Sequence, residues 1–194
     1  LEPTGSFWDC GEFVACSYKL LVPHPPGAPT FLLLGRIFSL FAPDPSKIGV
    51  WVNALSGLSS AFTILFLFWT TTMMGRKLLV GLRGEPTGAQ TALLMGAGAV
   101  GALGFAFTDS FWFSAEEAEV YALSAFCTAF VVWAMLKWER VEEEADSDRW
   151  LILIAYVVGL SIGVHLLNLL AIPALAFIYY FKRHTVTVRG GVVA

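Results

Sequence analysis

Residues 48–74 read IGVWVNALSGLSSAFTILFLFWTTTMM, an unbroken run without a charged side chain. At 1.5 Å per residue this run makes a helix of about 40 Å, longer than the ~30 Å hydrocarbon core of a bilayer. It reads as a membrane span. Composition agrees along the whole chain: of 194 residues, 57% are apolar and only 14% charged, with mean hydropathy +0.70. A soluble domain carries about 25% charge. The expected fold is therefore all-α, an integral membrane helical bundle.

Working outward from 48–74, further spans are expected at about 88–107, 118–138, 150–166 and 168–181, five in all. The last two are short and hinge around His165 and Asn168, with Pro173 kinking the final one. Small residues at i, i+4 offer close helix packing, Ala97 with Gly101 or Gly98 with Ala102. Upstream, residues 28–42 are apolar but reach only about 22 Å and carry Arg36 in their middle, so they read as an interfacial helix. Residues 1–27 are a polar loop punctuated by Pro and Gly, in which Asp9–Lys19 could form a short helix with Asp9 at its N-cap. All of this reads as part of a single transmembrane domain. The start at Leu1 without Met, and the end just after a basic cluster, suggest an internal piece of a longer protein.

Formal net charge is −3, which gives no basic balance for nucleic acid. Cys10, Cys16 and Cys127 supply no disulfide framework and no CxxC spacing. Lysine and arginine are distributed unevenly. Arg76, Lys77, Arg83, Lys137, Arg140, Arg149, Lys182, Arg183 and Arg189 fall on one side of a five-span topology, and Lys19, Arg36 and Lys47 on the other. The positive-inside rule places the second side, with residues 1–27, outside. Three polar clusters then share that outer side: the opening loop, the segment Thr108 to Glu119, and the turn around Ser161, His165 and Asn168.

Each cluster admits chemistry and a plainer role. Asp9 and Glu12, three apart on a helix, share a face and could act as a general base and its supporting partner, or as a capping Asp and a solvated Glu. His24, set between Pro23 and Pro25, could bind phosphate or orient a carboxylate, or mark a structural turn. Ser114 and Glu117 have capping-box spacing, which leaves Glu116 and Glu119 on a shared helix face at the membrane boundary. A carboxylate entering the membrane must face the bundle interior or a watered cavity. His165 could be a ligand or a satisfied core residue, and Arg36 could meet an anion or snorkel to the interface. No HxxxH-type spacing supports a metal, so no cofactor is expected, with a divalent cation left open.

The segments Phe7-Trp8-Asp9-Cys10-Gly11-Glu12-Phe13 and His24-Pro25-Pro26-Gly27-Ala28-Pro29 resemble a bacterial membrane family related to protein O-mannosyltransferases. SAEEAEVYAL at 114–123 and GLSIGVHLLNLL at 159–170 look like later signatures of that family, and the resemblance spans nearly the whole chain. It implies a GT-C-like fold, with a first transmembrane helix before Leu1 and further spans and a soluble part beyond Ala194. It also implies inverting transfer of a sugar, mannose by this likeness, from a polyprenyl-phosphate carrier to Ser or Thr hydroxyls of a secreted protein. Asp9 would be the catalytic residue and Glu12 its companion, while His24, Arg36, Glu116, Glu119 and His165 would bind substrate. The implied partners are the lipid-linked donor, the protein acceptor and membrane lipids, and the implied setting is a bacterial inner membrane with the site facing the periplasm. The alternatives are a glycan or lipid acceptor on the same fold, or a non-catalytic transporter or subunit.

Overall fold

The computed structural model describes residues 1–6, 8–141 and 144–184, with the side chains of 144–146 left aside. Phe7, Arg189 and most of the acidic run at 142–146 lie outside what is described. All regular structure among the described residues is helical: α1 (Cys10–Lys19), α2 (Pro29–Ser39), α3 (Ile48–Val80), α4 (Gly88–Ala106), α5 (Asp109–Glu116), α6 (Val120–Arg140), α7 (Glu144–Ile162) and α8 (Ile172–Arg183). Short 3₁₀ turns at Pro45–Lys47 and Leu166–Ala171 lead into α3 and α8. The expected helical membrane bundle is the fold observed.

Among the described residues, four helical stretches are long and apolar enough to cross a membrane: Pro45–Val80, Gly88–Ala106, Val120–Arg140 and Leu166–Arg183. The fifth expected span corresponds to α7, whose first turns carry Asp148 and Arg149 and shorten its apolar part. It nevertheless joins both ends of the bundle. At its start, Trp138 Nε1 donates to Ser147 Oγ at 2.6 Å, and beyond its end Thr30 N donates to the carbonyl of Gly163 at 2.8 Å.

Helix α3 is the spine, packed against α2, α4, α5 and α6. It continues two turns past the expected end at 74, because Arg76 and Lys77 find partners beyond the apolar layer. Arg76 donates to the carbonyl of Gly84 and pairs with Glu85 at 2.8 Å, and Lys77 pairs with Glu139 at 2.5 Å. Between α3 and α6 lies an aromatic cluster in which Phe66 touches Phe126, Phe130 and Trp133 at ring separations of 5.0 to 5.9 Å. Such pairs add about 0.5–1.5 kcal/mol each beyond the burial of their area.

Helix α4 begins with a capping box in which Thr87 and Gln90 exchange side-chain and backbone hydrogen bonds. Its buried face is Leu94, Gly98 and Ala102. A Cβ at Gly98 would come within 2.6 Å of Thr72, so glycine is what allows the two helices to approach there. The alternative pair, Ala97 and Gly101, points away from α3 and is exposed.

The bundle has two chemically different ends. Loop 81–87, the end of α6 and the end of α8 meet at a basic end, where Lys182 Nζ donates to the carbonyls of Trp138 and Val141. At the opposite end, residues 1–28, α5, the loop 117–119 and the turn after α7 come together. There Asn168 accepts from Ser124 at 2.7 Å and Thr128 at 2.9 Å and donates to the carbonyl of Ser161, tying the turn to α6 and α7.

Candidate active site

The acidic end is built on a short anchored segment. Asn53 of α3, fully buried, donates to the carbonyls of Glu2 at 2.7 Å and Thr4 at 3.2 Å, and Cys10 Sγ lies 3.7 Å from its oxygen. This holds residues 1–4 along α3 and fixes where α1 begins. Trp8 takes φ +51 immediately before Asp9, in the left-handed region that a bulky side chain rarely visits. Asp9 occupies the N-cap position of α1, as its place in the sequence suggests, but its side chain accepts no cap hydrogen bond. The carboxylate is instead half-exposed and borders the clefts of this end.

One turn later Glu12 is held tightly. Its carboxylate accepts the backbone N–H of His24 at 2.7 Å and lies 2.8 Å from Nδ1 of the same residue. The other ring nitrogen, Nε2, stands 3.8 Å from Asp9 Oδ2. The two carboxylates therefore do share one side of α1, and the imidazole bridges them. His24 reaches this place because Gly27, at φ +73, turns the chain back with its N–H on the carbonyl of His24. Phe13 backs the ring at 6.1 Å and packs edge-on against Phe31.

Electrostatics separate the two acids. The hydrogen bond from His24 holds the Glu12 carboxyl below its ordinary range, and the backbone N–H of His24 acts in the same direction. Glu12 raises the His24 imidazole reciprocally, first through that hydrogen bond, then through its charge, with Asp9 and Glu119 adding theirs. Both side chains are partly open to solvent, which screens the pair. Glu12 is thus hydrogen-bonded to His24, whereas Asp9 meets the same ring only at 3.8 Å, beyond hydrogen-bond distance.

The segment Ser114 to Glu119 differs from the sequence expectation. Helix α5 ends at Glu116, and Ser114 lies inside it with its hydroxyl on the carbonyl of Ser110, so no capping box forms. Residues 117 and 119 are extended, with Ala118 fully buried between them. Glu117 is buried and accepts from the Ser6 hydroxyl. Glu116 and Glu119 do not share a helix face: Glu116 accepts from Trp112 Nε1 at 2.8 Å, whereas Glu119 turns inward at the start of α6. Burial pushes the Glu119 carboxyl up to about 7, helped by the charges of Asp9 and Glu117, and backbone N–H groups of Asp9 and Val120 oppose the rise.

Two clefts meet at this point. The larger, about 590 Å³, is walled by Trp8, Asp9, Asp109, Ser110, Phe113, Ser114, Glu117, Glu119 and Tyr121. The smaller, about 90 Å³, is lined by Asp9, Phe13, His24, residues 26–28, Glu119, Val120, Tyr121, Val164 and His165. Asp9, Glu119 and Tyr121 form the partition shared by both. His165 thus reaches the site, its ring 5.5 Å from Tyr121 and its Nδ1 accepting the N–H of Leu167.

Arg36 is placed elsewhere. Its guanidinium donates to the carbonyl of Tyr18 at 2.7 Å and lies over the Tyr18 ring, closing the end of α1. Arg36, Glu116, Lys19 and Lys47 line neither cleft. Glu117 and Tyr121, by contrast, were not singled out from the sequence as site residues. The Glu-Ala-Glu alternation at 117–119 was the available signal for an extended stretch, overshadowed by the helix-forming composition around it.

Asp9, Glu12 and His24 also offer one ligand atom each within 4.8 Å of one another. Chemically, the site has a free carboxylate, an oriented imidazole and a protonatable buried acid beside an open apolar-walled cleft.

Comparison with known proteins bears on what such a site belongs to. The chain is 24% identical over 172 residues to the protein O-mannosyl-transferase tmem260 of Dictyostelium discoideum, covering 86% of this chain and 19% of that protein. It is 25% identical over 154 residues to the protein O-mannosyl-transferase TMEM260 of Mus musculus, covering 79% and 19%. The chain therefore spans about a fifth of the length of these relatives, both eukaryotic. No solved structure matches it. The model of the protein O-mannosyl-transferase TMEM260 N-terminal domain family matches residues 9–188, nearly the whole chain, and the chain belongs to that family.

Proposed function

We propose that this chain carries the catalytic end of a glycosyltransferase that moves mannose from a polyprenyl-phosphate carrier to Ser or Thr hydroxyls of secreted proteins, on a GT-C-type scaffold. The observation that carries the reading is the position of Asp9. Its carboxylate is half-exposed and accepts no hydrogen bond from His24, whose Nε2 is 3.8 Å away, and it stands in the partition between two clefts while Glu12 is locked onto His24. The names of the family and of the two relatives supply the reaction class.

In this mechanism Asp9 accepts the proton of the acceptor hydroxyl as the hydroxyl oxygen bonds to the anomeric carbon. The bond from that carbon to the phosphate oxygen breaks on the opposite face, and its electron pair leaves with the lipid phosphate. The sugar is inverted. A positioned base contributes about 10²–10⁴-fold. The larger cleft, with Trp8, Phe113 and Tyr121, offers stacking surface for sugar or acceptor, and His24 and His165 border the smaller one. The basic loops at the opposite end favour an orientation with the acidic end outside the cytosol, toward the lumen or, in a bacterium, the periplasm.

Replacing Asp9 with Asn in the full-length protein tests the assignment. With purified protein in lipid, mannosyl-phosphate donor and a Ser/Thr peptide, product formation should fall at least 100-fold while membrane insertion and thermal midpoint persist. Product at more than half the wild-type rate would refute the role of Asp9.

A further inference from the structure

The basic end of the bundle takes no part in the chemistry above, yet it carries most of the chain's lysines and arginines. Helices α3, α6 and α8 finish there at Val80, Arg140 and Arg183. A cleft of about 360 Å³ opens beside them, within the ~300–1,000 Å³ typical of small-molecule sites. Arg83, Arg140 and Lys182 line it, with Glu139 as its one carboxylate among the described residues. That carboxylate already pairs with Lys77 of α3 at 2.5 Å. Leu82, Val141 and Phe181 complete the wall. The cleft is thus both cationic and apolar.

We propose that this cleft binds the headgroup of one anionic glycerophospholipid, drawn from the membrane leaflet that meets the basic end. Three features carry this. Lys182 is fixed: its ammonium lies 4.1 Å from the centre of the Trp138 ring and donates to the carbonyls of Trp138 and Val141. Those bonds use two of its three donors, which leaves one for an anion. Arg140, the exposed last residue of α6, forms no ion pair among the described residues. A guanidinium fork matches phosphate oxygens two at a time. The depth also suits a lipid. Arg76 and Lys77 mark the boundary of the apolar layer, the cleft begins just beyond the end of α3 at Leu82, and Leu78 between them is 85% exposed.

Charge selects the headgroup. A phosphodiester with no cation of its own gains from all three basic side chains, whereas choline or ethanolamine would bring an ammonium among them. The apolar wall of Leu82, Val141 and Phe181 gives the glycerol backbone and first methylenes a place that a free phosphate ion cannot use. Basic pockets between helices at a cytosolic face hold anionic lipids on the same physical grounds. The basic end faces that leaflet in the orientation favoured above. The site lies at the opposite end from Asp9 and rests on nothing in the transfer reaction.

The test is native mass spectrometry of the full-length protein in neutral detergent, titrated with dioleoylphosphatidylglycerol or dioleoylphosphatidylcholine. One phosphatidylglycerol per chain should bind about 10-fold more tightly than phosphatidylcholine, or better. Each basic side chain near an anionic headgroup is worth about 5-fold, so Arg140→Gln should weaken binding about 5-fold and the double variant Arg83→Gln/Arg140→Gln about 25-fold. Arg149→Gln removes a charge near the same end but outside the cleft, and should leave binding unchanged. Arg140 is exposed, so Arg140→Gln should keep the wild-type thermal midpoint, and its lost binding is then not lost fold. Equal affinity for the two lipids, or an equal loss in Arg149→Gln, overturns the site, because the attraction is then diffuse. Competition by inorganic phosphate at the lipid's own concentration would make the ligand a free anion and overturn it as well. A preference absent from the wild type but gained when Glu142, Glu143 and Glu144 are changed to Gln would give the cleft to the chain's own acidic run, and the lipid would be refuted.

Discussion

Asn53 is the residue through which the membrane scaffold holds the opening loop, and its removal has a calculable effect. Its amide donates to the carbonyls of Glu2 and Thr4, and its oxygen faces the thiol of Cys10. Asn53→Ala deletes both donors. At about 1 kcal/mol net per hydrogen bond the loss is about 2 kcal/mol, because the freed carbonyls belong to a segment that can peel back into solvent. For a domain of this size that corresponds to a fall of about 4–8 °C in midpoint. A local readout is sharper. The Glu2 amide donates to the carbonyl of Glu116 at 3.1 Å, and a loosening of 2 kcal/mol should speed its hydrogen exchange about 30-fold. Amides in the middle of α6 should keep their protection. Asn53→Asp should be worse than Ala, since it turns a carboxylate oxygen toward two carbonyls. Unchanged exchange at Glu2 with a midpoint shift below about 1 °C would show that residues 1–6 are held by something else, and the reasoning would fail.

Other consequences can be measured directly. Gly98→Leu must force α4 away from Thr72 and Phe68 and should lower the midpoint by about 1–3 kcal/mol equivalent, whereas Gly101→Leu, with open space at its Cβ, should not. Ser147→Ala leaves the fully buried indole of Trp138 without its acceptor and should cost about 1–2 kcal/mol, read by chemical denaturation in detergent. Asp44 accepts from the hydroxyl and N–H of Ser46, and the hydroxyl bond leads in holding its carboxyl below the ordinary range. Its contribution is therefore present above the ordinary carboxylate pKa and lost as pH falls through the lowered one. Asp44→Asn should flatten the midpoint-against-pH curve on its acid side, and an unchanged slope would remove the cap from the account.

Helix existence was legible because long uncharged runs have no other home than a membrane. Helix ends and faces were not, for physical reasons that differ case by case. Arg76 and Lys77 mark the end of the apolar layer, and the backbone continues past it because Glu85 and Glu139 stand ready as partners. Ala97 with Gly101 and Gly98 with Ala102 satisfy the same spacing rule, and only the fit of Thr72 and Leu94 decides which pair is buried. Around Glu117 the local composition favours helix, yet burial of Ala118 and the hydrogen bond from Ser6 favour an extended link. That override came from residue 6, more than a hundred positions away. The pairing of Asp9 and Glu12 was readable from i, i+3 spacing, but their division of labour depends on where His24 returns. Arg36 was a reasonable anion ligand until the carbonyl of Tyr18 proved nearer.

The length of α3 fixes the depth of everything attached to its first turns. Its 33 residues make a rod of about 50 Å, and with Arg76 at one boundary of a ~30 Å hydrocarbon layer the other boundary cuts the helix about twenty residues earlier. That is near Ser56 and Gly57. Asn53, the segment it holds and the start of α1 then stand in the hydrated headgroup layer. Polar groups that would be prohibitive a few turns deeper are tolerated there. Altering bilayer thickness by a few ångströms should move that boundary along α3, and with it the water reaching Asp9.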